Sequence, residues 1–323
     1  MNVSHYFEFS DSVTGGIAES VRHQRKMLDR EGIEYTVEPT PSADVLHLNL
    51  MGPRSVAHAA RAKRRGTPVV IHTHVTAEDF GDSFRFTNAL AKPLRPYLRA
   101  AYALGDRLIC PSEYNQNLLR SYTDSPTTVI SNGVDREKLA GFESLEDEYR
   151  ERYDLSEPTV FQVGHVIKRK GLETFVETAR EMPELDFAWF GPLDLSLKGR
   201  ETKQLIRESP DNCTFTGFVD DIRGAFAAGD VFFFPTHEEN EGIALLEAMS
   251  AEKPVVVRDI DTFEWLDDGH DCLKTDADFQ EQLDRLKTPE LRQQLGDNAA
   301  ATSERFALSN TAEQLRDLYE EVI

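Results

Sequence analysis

The chain has 323 residues and a formal net charge of −21 at pH 7, from 57 acidic residues against 36 lysines and arginines. This length suits two domains of ordinary size, and so strong a negative charge argues against nucleic acid as a partner. No apolar run approaches the roughly 18 residues of a membrane span. The amino terminus has no basic segment followed by an apolar one, so we expect no secretory signal.

Cysteine usage and charge indicate the cellular setting. Cys110, Cys213 and Cys272 show neither metal-binding spacing nor an even-numbered disulfide framework, which predicts buried thiols in a reduced, cytoplasmic protein. An acidic surface stays hydrated at high salt, where screening removes its self-repulsion. We therefore hypothesise a high-salt host, which a salt titration of activity and melting temperature would test.

Short apolar runs alternate with amphipathic helical patterns along the whole chain. This alternation predicts an α/β fold of parallel sheets with helices on both faces. About twelve strands are too many for one typical open sheet, so we divide the chain into domains at 1–145 and 146–308. Each domain is expected to be doubly wound (Rossmann-like), and the two to face each other across a cleft. The predicted strands are Val3–Phe9, Glu34–Val37, Val45–Leu48, Pro68–Ile71, Arg107–Cys110, Thr127–Ile130, Thr159–Val163, Asp186–Trp189, Cys213–Thr216, Val231–Phe234, Pro254–Val257 and Cys272–Lys274.

Two glycines follow the first predicted strand. Gly15 and Gly16 precede the helix predicted at Gly16–Arg30. Ligands of doubly wound sheets bind beyond the carboxyl ends of the strands, and glycine there lets the backbone approach a ligand closely. Glycines also start many helices that bind nothing, so the pair is a candidate binding site that needs further support.

A basic segment lies inside this acidic chain. Between Arg54 and Arg107 ten basic residues accompany four acidic ones, a net charge of +6 in a chain of −21. An anionic acceptor or an anionic membrane surface would account for this segment. A set of solvated helix faces would account for it equally well.

The segment from Pro68 to Phe80 reads PVVIHTHVTAEDF and predicts a buried strand that ends in two histidines. We expect the rings of His72 and His74 to point to opposite faces at the strand end. That arrangement argues against a metal pair, so no metal site is predicted. The other interpretation of His74 is a structural histidine whose hydrogen bonds are satisfied.

Three loops carry weaker signals. Asn132 and Gly133 predict a tight turn with positive φ at the end of the first domain. Gly164 ends a strand in VGHVIKRKG, and three cations follow it before a helix: Lys168, Arg169 and Lys170. Such a cluster suits a diphosphate, although a solvated basic loop is the better interpretation without further support. The third loop, FTGFV, ends at Val219.

The segment from Val231 to Val257 is the most informative. It begins as a buried strand, continues into a polar loop with Glu238 and Glu239, and enters a helix at Gly242 and Ile243. A helix amino terminus favours phosphate. Carboxylates do not hold phosphate, so Glu239 and Glu247 would bind hydroxyls, and the combination suits a nucleotide sugar. The other interpretation is an exposed pair of acids at a helix start.

Together these segments resemble the retaining glycosyltransferases of the large family four, which have the GT-B fold. The E-x7-E signature of that family has the form P-S-x-x-E-G-F-G-x4-E. This chain has Pro235, Thr236, Glu239, Gly242 and Glu247 in register, with Asn240 and Glu241 in place of the usual Gly-Phe.

Three other segments carry the same resemblance. The family pattern P-V-V-x-T-x-H matches with His74 in the histidine position and His72 in place of Thr. S-N-G-V-D stands at 131–135, and V-G-R-x4-K-G matches at Gly164 and Lys170, with His165 in place of Arg. The stretch Thr76–Phe86 is similar to diacylglycerol glucosyltransferases and their relatives, which implies that it helps to form the acceptor site.

The resemblance assigns roles to individual residues. His74 would orient the transferring sugar, Glu239 would lie near that sugar, and Lys170 would bind the diphosphate, so these three are the expected catalytic residues. Glu247 would bind the ribose, Arg169 would compensate for the missing Arg, and the loop at Val219 would contact the base through its backbone. The expected donor-binding residues are Gly15, Gly16, Asn132, Gly164, Arg169, Lys170, Val219, Glu239, Gly242, Ile243 and Glu247. The last helix, 309–323, would pack back on the first domain.

The resemblance implies a retaining hexosyltransferase that needs neither a metal nor a permanently bound cofactor. Its donor would be a UDP-sugar or GDP-sugar, and its acceptor a lipid hydroxyl at the cytoplasmic face of the membrane. A polyprenol-linked glycan or a soluble sugar is the alternative acceptor. Three other functions stay open: a nucleotide-sugar epimerase, a phosphorylase, which usually has a longer chain, and a non-catalytic nucleotide-sugar-binding protein.

Overall fold

The computed structural model describes residues 1–80, 87–197 and 199–323. Residues 81–86 of the predicted acceptor segment, with Arg85 of the basic segment, lie outside the described residues. The chain forms two compact units, one of residues 1–80, 88–133 and 306–323 and one of residues 134–305. Among the described residues, no helix combines the length and the apolar content that crossing a membrane requires.

All twelve predicted strands are present, and each unit contains six of them in one parallel sheet. The strands are β1 (Asn2–Tyr6), β2 (Glu34–Thr36), β3 (Val45–Leu48), β4 (Val69–His72), β5 (Arg107–Cys110), β6 (Thr127–Val129), β7 (Thr159–Val163), β8 (Asp186–Phe190), β9 (Cys213–Gly217), β10 (Val231–Phe234), β11 (Val255–Arg258) and β12 (Leu273–Thr275). Their order is β2-β1-β3-β4-β5-β6 in the first sheet and β12-β11-β10-β7-β8-β9 in the second. The prediction of two doubly wound, Rossmann-like units is confirmed.

Helices connect the strands of both units. They are α1 (Gly16–Arg30), α2 (Pro53–Arg65), α3 (Ala77–Phe80), α4 (Thr87–Tyr102), α5 (Glu113–Leu119), α6 (Arg136–Leu139), α7 (Glu146–Tyr153), α8 (Leu172–Glu181), α9 (Arg200–Arg207), α10 (Arg223–Ala228), α11 (Ile243–Ser250), α12 (Phe279–Arg285), α13 (Pro289–Ser303) and α14 (Leu308–Val322). Parallel neighbours require such crossover connections, which explains why helical patterns alternate with apolar runs in the sequence.

Both faces of the second sheet are buried, which explains the continuous apolar run of β10. Phe232 and Phe234 belong to one hydrophobic cluster, and Val231 and Phe233 belong to the cluster on the other face. Successive side chains of a strand point to opposite faces, so a strand covered on both sides is apolar at every position. All three cysteines are likewise buried and free, as the sequence predicted.

The first strand ends three residues earlier than predicted. β1 stops at Tyr6, and Phe9 takes a positive φ of 66°. Between them, the buried carboxylate of Glu8 accepts hydrogen bonds from the backbone N–H groups of Arg54 (3.1 Å) and Ser55 (2.7 Å). These N–H groups open α2 and have no partner within the helix, so Glu8 caps that helix and turns the chain out of the sheet.

The division between the units lies at residues 133 and 134, whereas the sequence placed it at 145 and 146. The segment after Gly133 packs with the second sheet, because Leu139 and Tyr149 belong to its hydrophobic cluster. A Cβ at Gly224 of α10 would lie 2.2 Å from the Tyr149 ring, so the two elements are in close contact. The sequence placed the boundary in this segment because the segment is acidic. Its acidic residues do not show that its few apolar side chains pack against the second sheet.

The last helix belongs to the first unit. Its buried residues Ala312, Leu315 and Leu318 share a hydrophobic cluster with Val3 of β1 and Met27 of α1. The Tyr319 hydroxyl lies 2.5 Å from His47 Nδ1. An amphipathic helix at the end of the chain thus covers one face of the sheet that the amino terminus begins.

Four buried histidines form a line across the first sheet. The ring centroids of His5 and His47 are 4.9 Å apart, those of His47 and His72 are 6.0 Å apart, and those of His72 and His74 are 4.2 Å apart and nearly parallel. The expectation that His72 and His74 point to opposite faces was wrong. Residues two apart in an extended chain share a face, and the His74 N–H also bonds to the His72 carbonyl at 3.1 Å.

These four imidazoles are neutral in the folded protein. Burial is the main cause that lowers the pKa of His5 to about 4 and that of His72 to about 3, and a neighbouring charge contributes in the same direction in each case. Burial, followed by the other histidines, holds the pKa of His47 and of His74 well below the usual value. A proton on any one of them would lie in an apolar interior beside other imidazoles.

We expect the first unit to lose stability as the pH falls below about 6.5, the pKa of unfolded histidine. The unfolded chain takes up protons in that range while the folded imidazoles stay neutral, so each histidine lowers the free energy of unfolding by roughly 1.4 kcal/mol per pH unit. Urea unfolding between pH 7.5 and 5, with hydrogen exchange to separate the two units, measures this loss.

A His72→Thr variant is the matched control, because it removes one titrating ring from the line. The unfolding free energy of this variant should fall less steeply with decreasing pH than that of the parent chain. The two slopes should differ by the uptake of about one proton. Equal slopes in the two proteins would show that His72 is charged in the folded state or does not contribute.

Candidate functional site

The strand order of the second sheet brings its two candidate loops together. β7 and β10 are neighbours, with Val160 paired to Val231 and Phe161 to Phe232, and their crossover connections leave in opposite directions along the sheet. Such a switch point creates a crevice beyond the carboxyl ends of the two strands. The loop after β7 carries Arg169 and Lys170, and the loop after β10 carries Glu239.

Glu239 lies at the centre of this crevice and is 6% exposed. Its Oε1 lies 2.5 Å from Lys170 Nζ and 3.5 Å from Arg169 Nη1, and the Thr236 hydroxyl donates to it at 3.0 Å. Burial raises the pKa of this carboxyl, but the charges of Lys170 and Arg169 and the hydrogen bonds from Lys170 and Thr236 outweigh burial. The net pKa is below its usual value, so Glu239 is ionised at neutral pH.

Backbone contacts also hold the two loops together. The His237 N–H donates to the Arg169 carbonyl at 2.8 Å, and the Thr236 hydroxyl approaches the same oxygen at 3.2 Å. Gly171 has a φ of +80°, and a Cβ there would lie 2.3 Å from the Pro235 carbonyl oxygen. Only glycine permits this approach, so Gly171 fixes where Lys170 projects.

Glu247 occupies a second position in the same unit. It lies in the second turn of α11, which begins after Gly242 at a φ of +98°, and its carboxylate is buried. Lys138 Nζ of α6 donates to Glu247 Oε1 at 2.8 Å. α6 in turn is capped by Asp135, whose carboxylate accepts from the Lys138 N–H at 3.3 Å. The predicted E-x7-E pair therefore consists of two buried carboxylates, each with its own lysine.

The remaining predicted residues of the second unit can offer only their backbone groups to a ligand. Gly164 follows β7 with a φ of +137°, and its carbonyl accepts from Trp189 Nε1 at 2.9 Å. Ile243 is the first residue of α11. Val219 packs its side chain into the hydrophobic cluster, so only its backbone is available to a ligand. The preceding residue, Phe218, is 73% exposed.

The predicted residues of the first unit lie at the carboxyl ends of its strands. Gly15 precedes α1 with a φ of +73°, and a Cβ at Gly16 would meet nothing within 4 Å. The buried Asn132 accepts a hydrogen bond from the Ser20 hydroxyl, and the predicted turn is confirmed by a φ of +75° at Gly133. His74 Nε2 lies 3.0 Å from Asn49 Oδ1.

Sequence reasoning did not identify three residues that build these sites. Lys138 gave no signal, because its partner is 109 positions away. Gly191 follows a predicted strand, and a Cβ there would lie 2.0 Å from the Gly164 carbonyl oxygen. Asn49 is a polar residue directly after the predicted strand Val45–Leu48. Gly191 and Asn49 each stand just beyond a predicted strand, and that position could have identified them as candidate site residues.

No group of three histidine, cysteine or acidic residues within the described ranges 1–80, 87–197 and 199–323 is arranged to hold a metal ion. The rings of His72 and His74 are stacked face to face, and those of His5 and His47 meet edge to face. Metal coordination requires ligand atoms that converge at about 2 Å from a common centre.

Two family models together match most of the chain. The model described as Glycosyltransferase Family 4 matches residues 36–138, and the model described as Glycosyl transferases group 1 matches residues 157–288. The matched ranges correspond to parts of the first and second sheets.

Individual proteins are similar over longer ranges. The chain is 32% identical over 319 residues to a processive diacylglycerol alpha-glucosyltransferase of Acholeplasma laidlawii, which covers 95% of this chain and 94% of that protein. It is 26% identical to an alpha-galactosylglucosyldiacylglycerol synthase of Streptococcus pneumoniae, over 81% of this chain and 73% of that protein.

Solved structures share the fold. The structure of HepE from Anabaena in complex with UDP-glucose has a TM-score of 0.77 at 18% identity and covers 99% of this chain and 100% of that chain. Sucrose-phosphate synthase from Thermosynechococcus elongatus has a TM-score of 0.82 at 16% identity, with 100% of this chain and 99% of that chain covered. At these identities the similarity concerns the fold alone.

The close contact between the loop after β7 and the loop after β10 predicts that alanine substitution at two glycines will reduce stability by different amounts. Gly171→Ala would place a methyl group against the Pro235 carbonyl, whereas Gly269 has a similar φ of +78° with no atom within 4 Å of a Cβ. We expect Gly269→Ala to cost about 1 kcal/mol of stability, from backbone strain alone. Gly171→Ala should cost roughly 2 kcal/mol more, because the loop must also move.

Urea unfolding of the two variants and the parent chain measures the difference. Equal losses in the two alanine variants would mean that the loop after β7 accommodates the methyl group and that Gly171 does not fix the position of Lys170.

Proposed function

Since this chain belongs to glycosyltransferase family 4, we propose that it is a retaining hexosyltransferase that moves a sugar from a nucleoside diphosphate donor to a hydroxyl of a membrane lipid. The observation that carries the proposal is the convergence of Glu239, Lys170 and Arg169 at the switch point of the second sheet. Two relatives whose names describe glycolipid synthesis support the lipid acceptor, since the similarity to one of them extends over nearly the whole of both chains.

The donor proposed here is a UDP-sugar or GDP-sugar bound by the second unit. Its diphosphate would face the loop of Lys170 and Arg169 and the amino terminus of α11, where backbone N–H groups favour negative charge. Its ribose hydroxyls would bind Glu247, whose carboxylate Lys138 already holds in place. Complexes of the structurally similar HepE with UDP and UDP-glucose support a uridine nucleotide as the first to test.

The reaction would proceed on one face of the sugar. The bond from the anomeric carbon to the diphosphate breaks, the acceptor oxygen bonds to that carbon from the same side, and the acceptor proton passes to the departing phosphate. Lys170 and Arg169 would stabilise the charge that develops on the leaving group, without a requirement for metal. The ionised Glu239 would stabilise the positive charge on the sugar ring, and His74 would orient the sugar.

A direct test begins with calorimetry against UDP-glucose, UDP-galactose and GDP-mannose. The bound donor is then incubated with diacylglycerol in vesicles, with and without EDTA, and the product is characterised by mass spectrometry and NMR. We expect an α-linked glycolipid whose formation EDTA does not reduce. A β-linked product would exclude retention, conversion of the donor sugar without transfer would indicate an epimerase, and binding with neither reaction would indicate a non-catalytic module.

The two carboxylate–lysine pairs should give different kinetic defects. Glu247→Gln should weaken donor binding by about 10- to 100-fold, because it removes a charge-assisted hydrogen bond. Lys170→Met should lower kcat by about 100-fold or more, because leaving-group charge is no longer stabilised. Calorimetry and initial rates measure the two effects, and wild-type turnover in both variants would remove these roles.

Stability has to be separated from catalysis in the Lys170 variant, because Glu239 would be left buried without its lysine. The double variant Lys170→Met/Glu239→Gln removes both charges and should recover most of the lost stability while activity stays low. A double variant that regains activity would show that the lysine serves only to compensate the carboxylate.

The basic segment is proposed to hold the enzyme at the cytoplasmic face of an anionic membrane. Arg61, Arg64 and Arg65 are exposed on α2, and Arg95 and Arg99 are exposed on α4. Some members are paired with acids, as Arg95 is with Glu78 at 3.3 Å and Lys63 is with Asp106 at 3.0 Å. The exposed arginines would attract anionic headgroups over a distance that salt shortens. The high-salt host is a separate proposal, supported by the acidity of the rest of the chain.

Vesicle flotation tests this contact. Arg64→Glu/Arg65→Glu should reduce binding to vesicles rich in phosphatidylglycerol, and binding of the parent chain should fall as salt is raised. Arg200→Glu/Arg207→Glu is the control, because it makes the same charge change on the exposed face of α9 in the second unit. Equal binding by the two double variants, or no binding by the parent chain at low salt, would contradict the proposal.

A further inference from the structure

One polar side chain lies in the middle of an apolar face of the second sheet. Gln162 stands on β7 two residues after Val160, so both side chains point to the same face. Val160 and the cross-strand neighbour of Gln162, Trp189 on β8, belong to the hydrophobic cluster on that face. Gln162 is 0% exposed. A buried amide in such surroundings is costly unless its hydrogen-bonding atoms find partners.

The amide of Gln162 bonds to the backbone of the loop after β7. Its Nε2 donates to the Lys170 carbonyl at 3.0 Å. The two ends of a side-chain amide have the same shape, but a carbonyl oxygen only accepts, so the nitrogen must face Lys170. The amide oxygen is then buried, and no described residue gives it a hydrogen bond. Only one end of this amide is therefore satisfied, and its partner is the backbone of a candidate site residue.

Trp189 makes the corresponding contact at the start of the same loop. Its indole Nε1 donates to the Gly164 carbonyl at 2.9 Å. Gln162 and Trp189 are paired across β7 and β8, and both are 0% exposed. Two buried N–H donors on neighbouring strands thus hold the two ends of the loop, at Gly164 and at Lys170.

These contacts restrict the backbone from which the Lys170 side chain extends. The Lys170 N–H donates to the Ile167 carbonyl at 3.2 Å, and the Lys170 carbonyl accepts from Gln162. Lys170 Nζ lies 5.2 Å from the centroid of the Phe234 ring and 2.5 Å from Glu239 Oε1. A lysine side chain has many rotamers. The position of its backbone therefore decides whether the ammonium group can stay beside the carboxylate.

We propose that Gln162 is a positioning residue, which holds the Lys170 carbonyl so that the ammonium group lies beside Glu239, where it would meet the donor diphosphate. The inference rests on the proposed function for the importance of Lys170 in transfer, but the contact itself belongs to the ligand-free chain. The unsatisfied amide oxygen argues against a purely structural role, because an apolar side chain of similar size would avoid burying it. Gln162 touches no reacting atom and acts through Lys170.

Gln162→Met first separates positioning from stability. Methionine is unbranched, like glutamine, and has no polar atom that needs a strong hydrogen bond. Lys170 is only partly buried, so water can replace the lost donor at its carbonyl. We expect the urea midpoint of this variant to equal or exceed that of the parent chain. A much lower midpoint would show that the amide supports the fold, which contradicts the proposal.

The contact between Lys170 and Glu239 gives a test that needs no activity. Urea unfolding of the parent chain, of Lys170→Met, of Glu239→Gln and of the double variant measures the coupling between the two side chains. The cycle is then repeated with Gln162→Met in all four proteins. We expect the coupling to fall to about half or less, because the lysine backbone is no longer held. An unchanged coupling would overturn the proposal.

Asn212→Leu is the matched control. Asn212 is another amide of the second unit, and its Nδ2 donates to three backbone carbonyls at 2.8 to 3.0 Å. It precedes β9 and so lies at the opposite end of the sheet from the candidate site. Its loss should lower the urea midpoint and leave the coupling of Lys170 with Glu239 unchanged. An equal fall in coupling would show that any lost amide loosens this pair, which contradicts a specific role of Gln162.

Kinetics connect the contact to sugar transfer. Gln162→Met should lower kcat by about 10-fold with little change in the KM of the donor, because leaving-group charge is less well stabilised in the transition state. In a Lys170→Met background the same substitution should change kcat by less than about twofold, since Gln162 acts through Lys170. Equal losses in the two backgrounds would contradict the proposal.

The two proposals can fail separately. If Gln162→Met weakens the coupling of Lys170 with Glu239 and the parent chain transfers no sugar, the proposed function fails alone. If the parent chain transfers sugar and the coupling is unchanged in Gln162→Met, this inference fails alone.

Discussion

The second unit depends on the compensation of one buried carboxylate. Glu239 is removed from water, and such a group is tolerated only when charges and hydrogen bonds replace its hydration. Lys170, Arg169 and Thr236 supply them, across a separation of 69 positions between Lys170 and Glu239. The loop contacts at Gly171 and Pro235 bring the cations within reach, so backbone packing and electrostatics depend on each other. In the proposed reaction these cations would also stabilise the diphosphate leaving group.

The two units stabilise the buried polar side chains at their switch points in different ways. The second uses carboxylate–lysine contacts, Glu239 with Lys170 and Glu247 with Lys138. The first places neutral amides and imidazoles there, and burial keeps the imidazoles uncharged. Charged pairs suit the binding of phosphate and ribose, whereas neutral donors and acceptors suit the orientation of hydroxyls. The division of chemistry between the units follows from which side chains each sheet brings to its strand ends.

Much of the fold and part of the site were predictable from sequence for identifiable reasons. The VFFF run of β10 predicted a strand buried on both faces, and glycines with positive φ marked the ends of strands and the start of α11. Glu239, Glu247 and Lys170 were predicted as site residues because short motifs keep them in register, and the structure brings Lys170 to Glu239. The division between the units was misplaced, because Leu139 and Tyr149 are apolar contacts inside an acidic segment. The parallel rings of His72 and His74 were also mispredicted, through a wrong assignment of strand faces.

The sequence by itself determined the parallel α/β architecture, because the spacing of apolar residues is a local property that each strand and helix imposes on its own segment. It also determined which residue types stand at the strand ends. Only the tertiary structure decided their partners: Lys138 with Glu247, Lys170 with Glu239, and Asn49 between His5 and His74. These pairings depend on strand order, which joins segments far apart in the chain, and no local pattern records which strands will be neighbours.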